Sequence, residues 1–167
     1  MQEILIEKVV VNMGVGSDAE RLKKGEQIIK LITGRKPIKT SGQKRIPDWG
    51  VRPGVPLGLK VTLRDKPARD FLEEAFKAKD NVMKAKSFDN EGNFGFGIKE
   101  HIDLQRIKYD PKLGIMGFDV LVTLKKKGFR VKMRKLKNEK IGHKQRITKE
   151  EAQEYVRKMG VDVQWLK

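Results

Sequence analysis

Four stretches of this sequence carry residues whose types and spacing could do chemistry. Gly14-x-Gly16-x-x-Ala19 follows a β-branched run and has the spacing of a dinucleotide-binding turn, where glycines let a pyrophosphate approach a helix start. Phe94-Gly95-Phe96 matches the centre of the RNA-recognition-motif signature, whose aromatics stack on bases. His101 sits between Glu100 and Asp103, a grouping that could move protons if the fold made it converge. Lys125–Lys149 holds twelve cations and a single acid, Glu139, so it carries +11 of the chain's net +16.

The first three weaken on inspection. No acid lies between Glu26 and Asp48 to hold a ribose, and Asp18 and Glu20 would repel a pyrophosphate at the turn. A nucleotide-cofactor enzyme using Gly14–Ala19 is therefore a minor alternative. Phe94 and Phe96 lack the basic-Gly pair before them, with Gly97 and Glu100 where a Val and an aromatic belong. We read them as core residues of a hairpin; a free-standing RNA-binding regulator of RNA-recognition-motif type is the alternative. His101 and His143 are far apart and outside metal-ligand spacing, and we read both as surface histidines. No Walker A loop, hydrolase elbow or metalloprotease helix is present, so the chain reads as a non-enzyme with no cofactor and no metal.

The cationic stretch is stronger. Self-repulsion at +16 favours a polyanionic partner, and counterion release rewards dense lysine and arginine on phosphates. Phe129, Val131 and Met133 alternate with Arg130, Lys132 and Arg134, which predicts a β-ribbon with a phosphate-binding row of those three cations. No apolar run approaches the roughly 18 residues of a membrane span. The start, MQEILIEK, lacks the features of a secretory peptide, and there is no cysteine, so disulfides and thiolate chemistry are excluded. A soluble, intracellular protein follows, with no homo-oligomer expected.

The elements that must position these residues are legible in order. Ile4–Met13 predicts a strand, and Ser17 with Glu20 a capping box opening a helix that closes at Gly34, with Gly25 weakening its middle. Pro37–Lys44 reads as a second strand. Gly50, Gly54 and Gly58 with Pro53 and Pro56 predict a projecting loop. Leu59–Leu63 alternates as a half-buried strand, and Pro67 opens a helix with Ala68, Phe71, Leu72, Ala75 and Phe76 on one face. Phe88–Ile98 predicts a hairpin turning at Asn90–Asn93, and Ile102–Gly117 is irregular. Phe118–Leu124 is a strand. Thr148 with Glu151 predicts a capping box and a helix to about Met159, and Val161, Val163 and Trp165 a closing strand. Length suggests one domain over residues 1–167, including a basic segment at 125–149 and a terminal helix and strand at 148–167.

Four blocks in order, IEKVVVNMGVG, ITGRKPIKT, VRPGVPLGLKVTLRDKPARDFLEE and SFDNEGNFGFGIKEH, resemble the signature blocks of large-subunit ribosomal protein five. They cover roughly residues 6–124, and the basic segment is similar to the archaeal and eukaryotic branch. The resemblance implies an α+β fold, a curved antiparallel β-sheet with helices packed on one face, plus the basic extension. It implies 5S rRNA binding in the central protuberance of the large ribosomal subunit by Asn12, Met13, Gly14, Arg35, Thr40, Gln43, Lys44 and Thr62. Arg35 stands where the family pattern has glutamine, which turns that contact toward phosphate. It implies that the 49–56 loop, with Trp49, Val51, Arg52, Pro53 and Gly54, reaches P-site tRNA. The implied partners are 5S rRNA, large-subunit rRNA, P-site tRNA, neighbouring large-subunit proteins and a small-subunit head protein across the subunit bridge, in the cytoplasm.

Overall fold

β-Branched residues alternate inward along β1 (Ile4–Gly14), burying Val9, Val11 and Met13. The structure, a computed structural model, describes residues 2–105, 107 and 109–164. After β1 come α1 (Ala19–Thr33), β2 (Ile38–Ser41), β3 (Pro56–Leu63), α2 (Asp65–Lys77) and β4 (Val82–Lys84). β5 (Phe94–Ile98), β6 (Phe118–Lys126), the single-turn helix α3 (Arg130–Met133), α4 (Lys149–Lys158) and β7 (Asp162–Gln164) complete the order. The fold is α+β. Five strands form an antiparallel sheet in the order β2-β3-β1-β6-β5, and β4 pairs with β7 in a small parallel sheet. No helix among the described residues is long and apolar enough to cross a membrane.

The contacts divide into two compact units, each assembled from separate parts of the chain. One unit comprises Val10–Leu63 and Gly97–Val120. Its organising contact is a glycine. Gly25 lies in mid-α1, where an added Cβ would stand 3.1 Å from both Leu59 Cδ1 and Met13 Sδ. The residue that costs helix propensity thus lets α1 pack closely on the sheet. Gly34 closes α1 in the left-handed region at φ 66°, as expected. At the other end the cap is Asp18 and not Ser17: the Asp18 carboxylate accepts the Glu20 N–H at 2.9 Å. That carboxylate occupies the helix start where a pyrophosphate would sit, and β2 runs antiparallel to β3. The doubly wound arrangement a dinucleotide site needs is absent among the described residues.

His101 is a correction. It is 2% exposed, not a surface group. Its backbone N–H donates to the Met116 carbonyl at 3.1 Å, and its Nδ1 accepts the Met116 N–H at 3.3 Å. Isolated apolar residues on either side of Pro111 gave no periodicity from which that reciprocal pairing could be read.

The second unit comprises residues up to Val9, Arg64–Phe96 and residues from Leu121 onward. Ala68, Phe71, Leu72, Ala75 and Phe76 form the buried face of α2 as expected, although the helix starts two residues before Pro67. Phe76 stacks on Phe94 (6.3 Å between centroids) and on Phe96 (5.4 Å), and Phe88 lies 5.2 Å from Phe94. Phe94 is buried and Phe96 half-buried, so these rings are packed against one another and not presented as a base-stacking platform. The hairpin ahead of β5 reduces to one bridge, Phe88 to Phe94, around a turn knit by Asp89, whose carboxylate accepts the Glu91 and Asn93 N–H groups. β4 gave no sequence signal at three residues. The Thr148–Glu151 capping box forms with both of its hydrogen bonds. β7 covers Val163, whereas Trp165 lies outside the described residues.

The expected ribbon at 129–134 is overturned. Gly128, at φ 100°, turns the chain, and the Arg134 N–H donates to the Arg130 carbonyl at 2.9 Å, closing a single helical turn. Six alternating residues with no partner strand fit one turn of helix as well as a strand.

Candidate nucleic-acid interface

Register fixes which residues share a face. Ile38 pairs with Lys60 and Thr40 with Gly58, so Ile38, Thr40, Gly58, Lys60 and Thr62 line one face of β2 and β3. Leu59, Val61 and Leu63 line the other, and all three are buried, with α1 packing on Leu59. On the first face Ile38 and Lys60 are exposed, and Thr40 and Thr62 are half-buried.

The end of β1 turns onto this face. Val15 and Gly16 N–H groups both donate to the Leu57 carbonyl, at 3.0 and 2.8 Å, drawing the Met13–Gly14 backbone across β3. A Cβ built on Gly58 would stand 2.8 Å from the Met13 carbonyl oxygen and 3.0 Å from Thr40 Oγ1. Gly58 is therefore the point where Asn12–Gly14, expected as a turn but forming the last residues of β1, and the Thr40 hydroxyl converge. It belongs to β3 and not to the loop in which the sequence placed it, as does Pro56. Gly58→Ala should lower stability by about 2 kcal/mol through overpacking against backbone. Denaturant unfolding would read it, and an unchanged midpoint would mean that the Met13 backbone at the end of β1 can move aside.

The expected contact residues are not all alike. Gly14 is exposed and Asn12 half-buried, but the Met13 side chain is only 1% exposed and faces Gly25, which leaves its backbone for contact. Arg35, Gln43 and Lys44 are exposed beyond the ends of α1 and β2. Lys60 and Ile38 belong to the same surface, and neither was selected from sequence. Alternation with Leu59 and Val61 was the signal that could have found Lys60.

The 49–56 segment is part of a longer loop that begins at Gly42. Ile46 and Val51 exchange backbone hydrogen bonds at 3.0 Å, and the 3-10 turn Pro47–Trp49 between them ends at Gly50, φ 63°. Trp49 stands at that tip with 74% of its surface exposed. Arg52-Pro53-Gly54 forms a second turn, in which the Val55 N–H donates to the Arg52 carbonyl at 3.2 Å and Gly54 adopts φ 83°, as a type II turn demands. Gly42 and Gly54 hold the base together, the Gly54 N–H donating to the Gly42 carbonyl at 3.0 Å. Val51, one of the expected contacts, is buried beneath the loop, so Trp49, Arg52, Pro53 and Gly54 form its outer surface.

A second cationic surface lies in the other unit. Lys126, at 5% exposure, is buried, and its Nζ lies 2.7 Å from Glu151 Oε2 and 2.8 Å from Oε1. The same ammonium donates to the Arg146 carbonyl at 3.2 Å. One side chain thereby joins both ends of the basic excursion, residues 127–146. The hydrogen bond from Lys126 holds the Glu151 carboxyl below the usual carboxylate value; burial opposes the shift, and the Thr148 N–H adds to it. Within the excursion Arg130, Lys132 and Arg134 do not form a row. Lys132 lies over the Phe129 ring, 5.4 Å from its centroid, while Arg134 Nε donates to the Lys137 carbonyl at 2.6 Å. Facing α3 is a groove of about 960 Å³, walled by Lys8, Lys125, Lys132, Lys140 and Arg146, that sequence reasoning missed. Nothing in the chain order links Lys8 to Lys140.

An open strand face crossed by the end of β1, a preformed loop and a lysine-lined groove are the candidate contact surfaces of this chain. Comparison with known proteins gives the family. Residues 1–52 match the family model "Ribosomal protein L5", and residues 56–162 match the "ribosomal L5P family C-terminus". The chain is 49% identical to the "Large ribosomal subunit protein uL5" of Pyrobaculum aerophilum, over 98% of this chain and 92% of that protein. It is 48% identical to the protein of that name from Methanococcus vannielii, with the same coverage. A third, from Sulfolobus acidocaldarius, is 45% identical over 91% of this chain and 85% of its own length. The chain belongs to the ribosomal protein L5 family, which is structural and non-catalytic.

Proposed function

We propose that this protein is a structural constituent of the large ribosomal subunit that binds 5S rRNA and helps attach it in the central protuberance. The observation that carries the reading is the convergence of the Asn12–Gly14 end of β1 and Thr40 over Gly58, on a face where Ile38 and Lys60 are exposed. Glycine backbone and an asparagine amide can approach the sugar-phosphate edge of an RNA loop, and threonine hydroxyls can reach phosphates or 2′-hydroxyls. Arg35, Gln43 and Lys44 extend the contact at the margin of this face. The loop reaches P-site tRNA with Trp49 and the Arg52-Pro53-Gly54 turn, an aromatic and a cation on a shape fixed by its own hydrogen bonds. The excursion, with Arg130, Lys132 and Arg134, meets large-subunit rRNA, and neighbouring large-subunit proteins and a small-subunit head protein are the remaining partners.

Binding of 5S rRNA and of an unrelated RNA of equal length, titrated across a salt series, tests the reading. 5S rRNA should stay bound at salt concentrations that release the other. Asn12→Ala should weaken 5S rRNA about five- to tenfold, the worth of a hydrogen bond near charge, and leave the unrelated RNA unaffected. Parallel loss of both RNAs along one steep slope would reduce the protein to a generic polyanion binder and overturn the proposal.

A further inference from the structure

The groove beside the excursion is built for more than phosphate. Its volume, about 960 Å³, is at the upper end of the roughly 300–1,000 Å³ typical of clefts that enclose small ligands. Its floor is apolar, with Leu124 and Ile147 buried and Phe129 and Ile141 half-buried. Side-chain amides of Asn138 and Gln145 stand among the walls, and the Gln145 Oε1 atom is buried without a hydrogen-bond partner among the described residues. Apart from Lys126, which is engaged by Glu151, five cations line the groove against three carboxylates. Lys132 places its ammonium over one face of the Phe129 ring, which leaves the edge and the other face to a base and the ammonium to its phosphate.

A purely electrostatic phosphate track needs neither an apolar floor nor a buried acceptor. A peptide would use the floor but gains nothing from the excess of cations unless it is acidic. A nucleobase uses all three features: an apolar face for the ring, N–H donors for a buried carbonyl, and a phosphate on either side for lysines. Paired bases are unavailable for this, so the ligand must be single-stranded or bulged. We infer that the groove holds an unstacked RNA nucleotide, its base against Phe129, Ile141 and Ile147 and its phosphates on Lys125, Lys132 and Lys140. The inference rests on the proposal that the excursion contacts RNA, and adds that it does so by capturing a base.

The test uses the full chain with three probes of known composition: the hexanucleotides rA6 and rC6, and an abasic ribose-phosphate hexamer of equal charge. Salt-sensitive binding of the abasic hexamer tests the phosphate contact alone. The base-bearing hexamers should bind at least about tenfold more tightly, as stacking and one hydrogen bond would supply. They alone should shift the NMR signals of the Gln145 and Asn138 side-chain amides. Gln145→Leu should cut the margin of base over abasic about fivefold without changing the abasic affinity. Equal binding of all three probes would overturn the inference while leaving the phosphate contact standing, and no binding of any would remove both. Base-dependent binding that leaves those amides unshifted would place the base elsewhere. A Leu-Glu repeat octapeptide that shifts them where RNA does not would assign the groove to a protein tail. The wild-type comparison and the amide signals do not depend on how well the variant folds.

Discussion

Phe94→Ala should destabilise the protein by about 3–5 kcal/mol, lowering the midpoint of thermal unfolding by roughly 10–15 °C. Phe94 is 3% exposed and packs against the rings of both Phe76 and Phe88. The surrounding rings are anchored on α2 and on the Asp89 turn, so the cavity left behind collapses only in part. At a temperature where the variant remains folded, its affinity for RNA should be unchanged. Loss of RNA binding with an unchanged unfolding midpoint would instead make the ring a base-stacking surface, and the packing assigned to it would be wrong.

Glu151→Ala is the second large effect. It leaves the Lys126 ammonium buried without its counter-charge and removes the acceptor that closes the capping box on the Thr148 N–H. Removing one partner from a fully buried pair costs about 3–5 kcal/mol; since the Glu151 side chain is 41% exposed, about 2–3 kcal/mol is expected. Lys126→Met should cost much less, because the partner it leaves behind can be solvated. The pair also gives stability a definite pH dependence. The folded carboxyl titrates below its ordinary value of 4.5, so the stabilisation is complete above about pH 5.5 and lost as pH falls through the folded pKa. Denaturant unfolding of wild type and Glu151→Gln over that range should give a difference that shrinks on acidification. A difference independent of pH would mean that the carboxylate charge contributes nothing.

How far the sequence revealed this molecule depended on the range of the contact. Periodicity identified the buried face of α2 residue by residue, and Thr148 with Glu151 marked the start of α4, because both are properties of residues a few positions apart. The four family blocks carried the fold class. What escaped was set by pairings across the chain. Lys126 reads in the sequence as one of twelve cations facing a polyanion, and only the return of the chain at Arg146 and Glu151 makes it a buried group. His101 looked exposed until Met116 came back to it. Gly58 looked like a loop glycine, and its use became visible only once the Met13 carbonyl lay above it. Met13 and Val51 fall within segments expected to touch RNA, yet Met13 continues the buried alternation of Val9 and Val11, and Val51 is buried. The alternation at 129–134 misled for the opposite reason, since a pattern of six residues has no strand to pair with.

The joining of residues 127 and 146 through a single ammonium group bears on how this segment can change over time. An excursion that leaves and re-enters the body at one point can be lengthened at low cost, since each doubling of a flexible loop adds only about 0.6 kcal/mol of closure entropy. Insertions and deletions inside it would therefore be tolerated while the clamp at its root persists. Size and charge in this arm are free to drift away from the groove lined by Phe129, Lys132, Lys140 and Gln145, and the two positions that must stay matched at its root are Lys126 and Glu151.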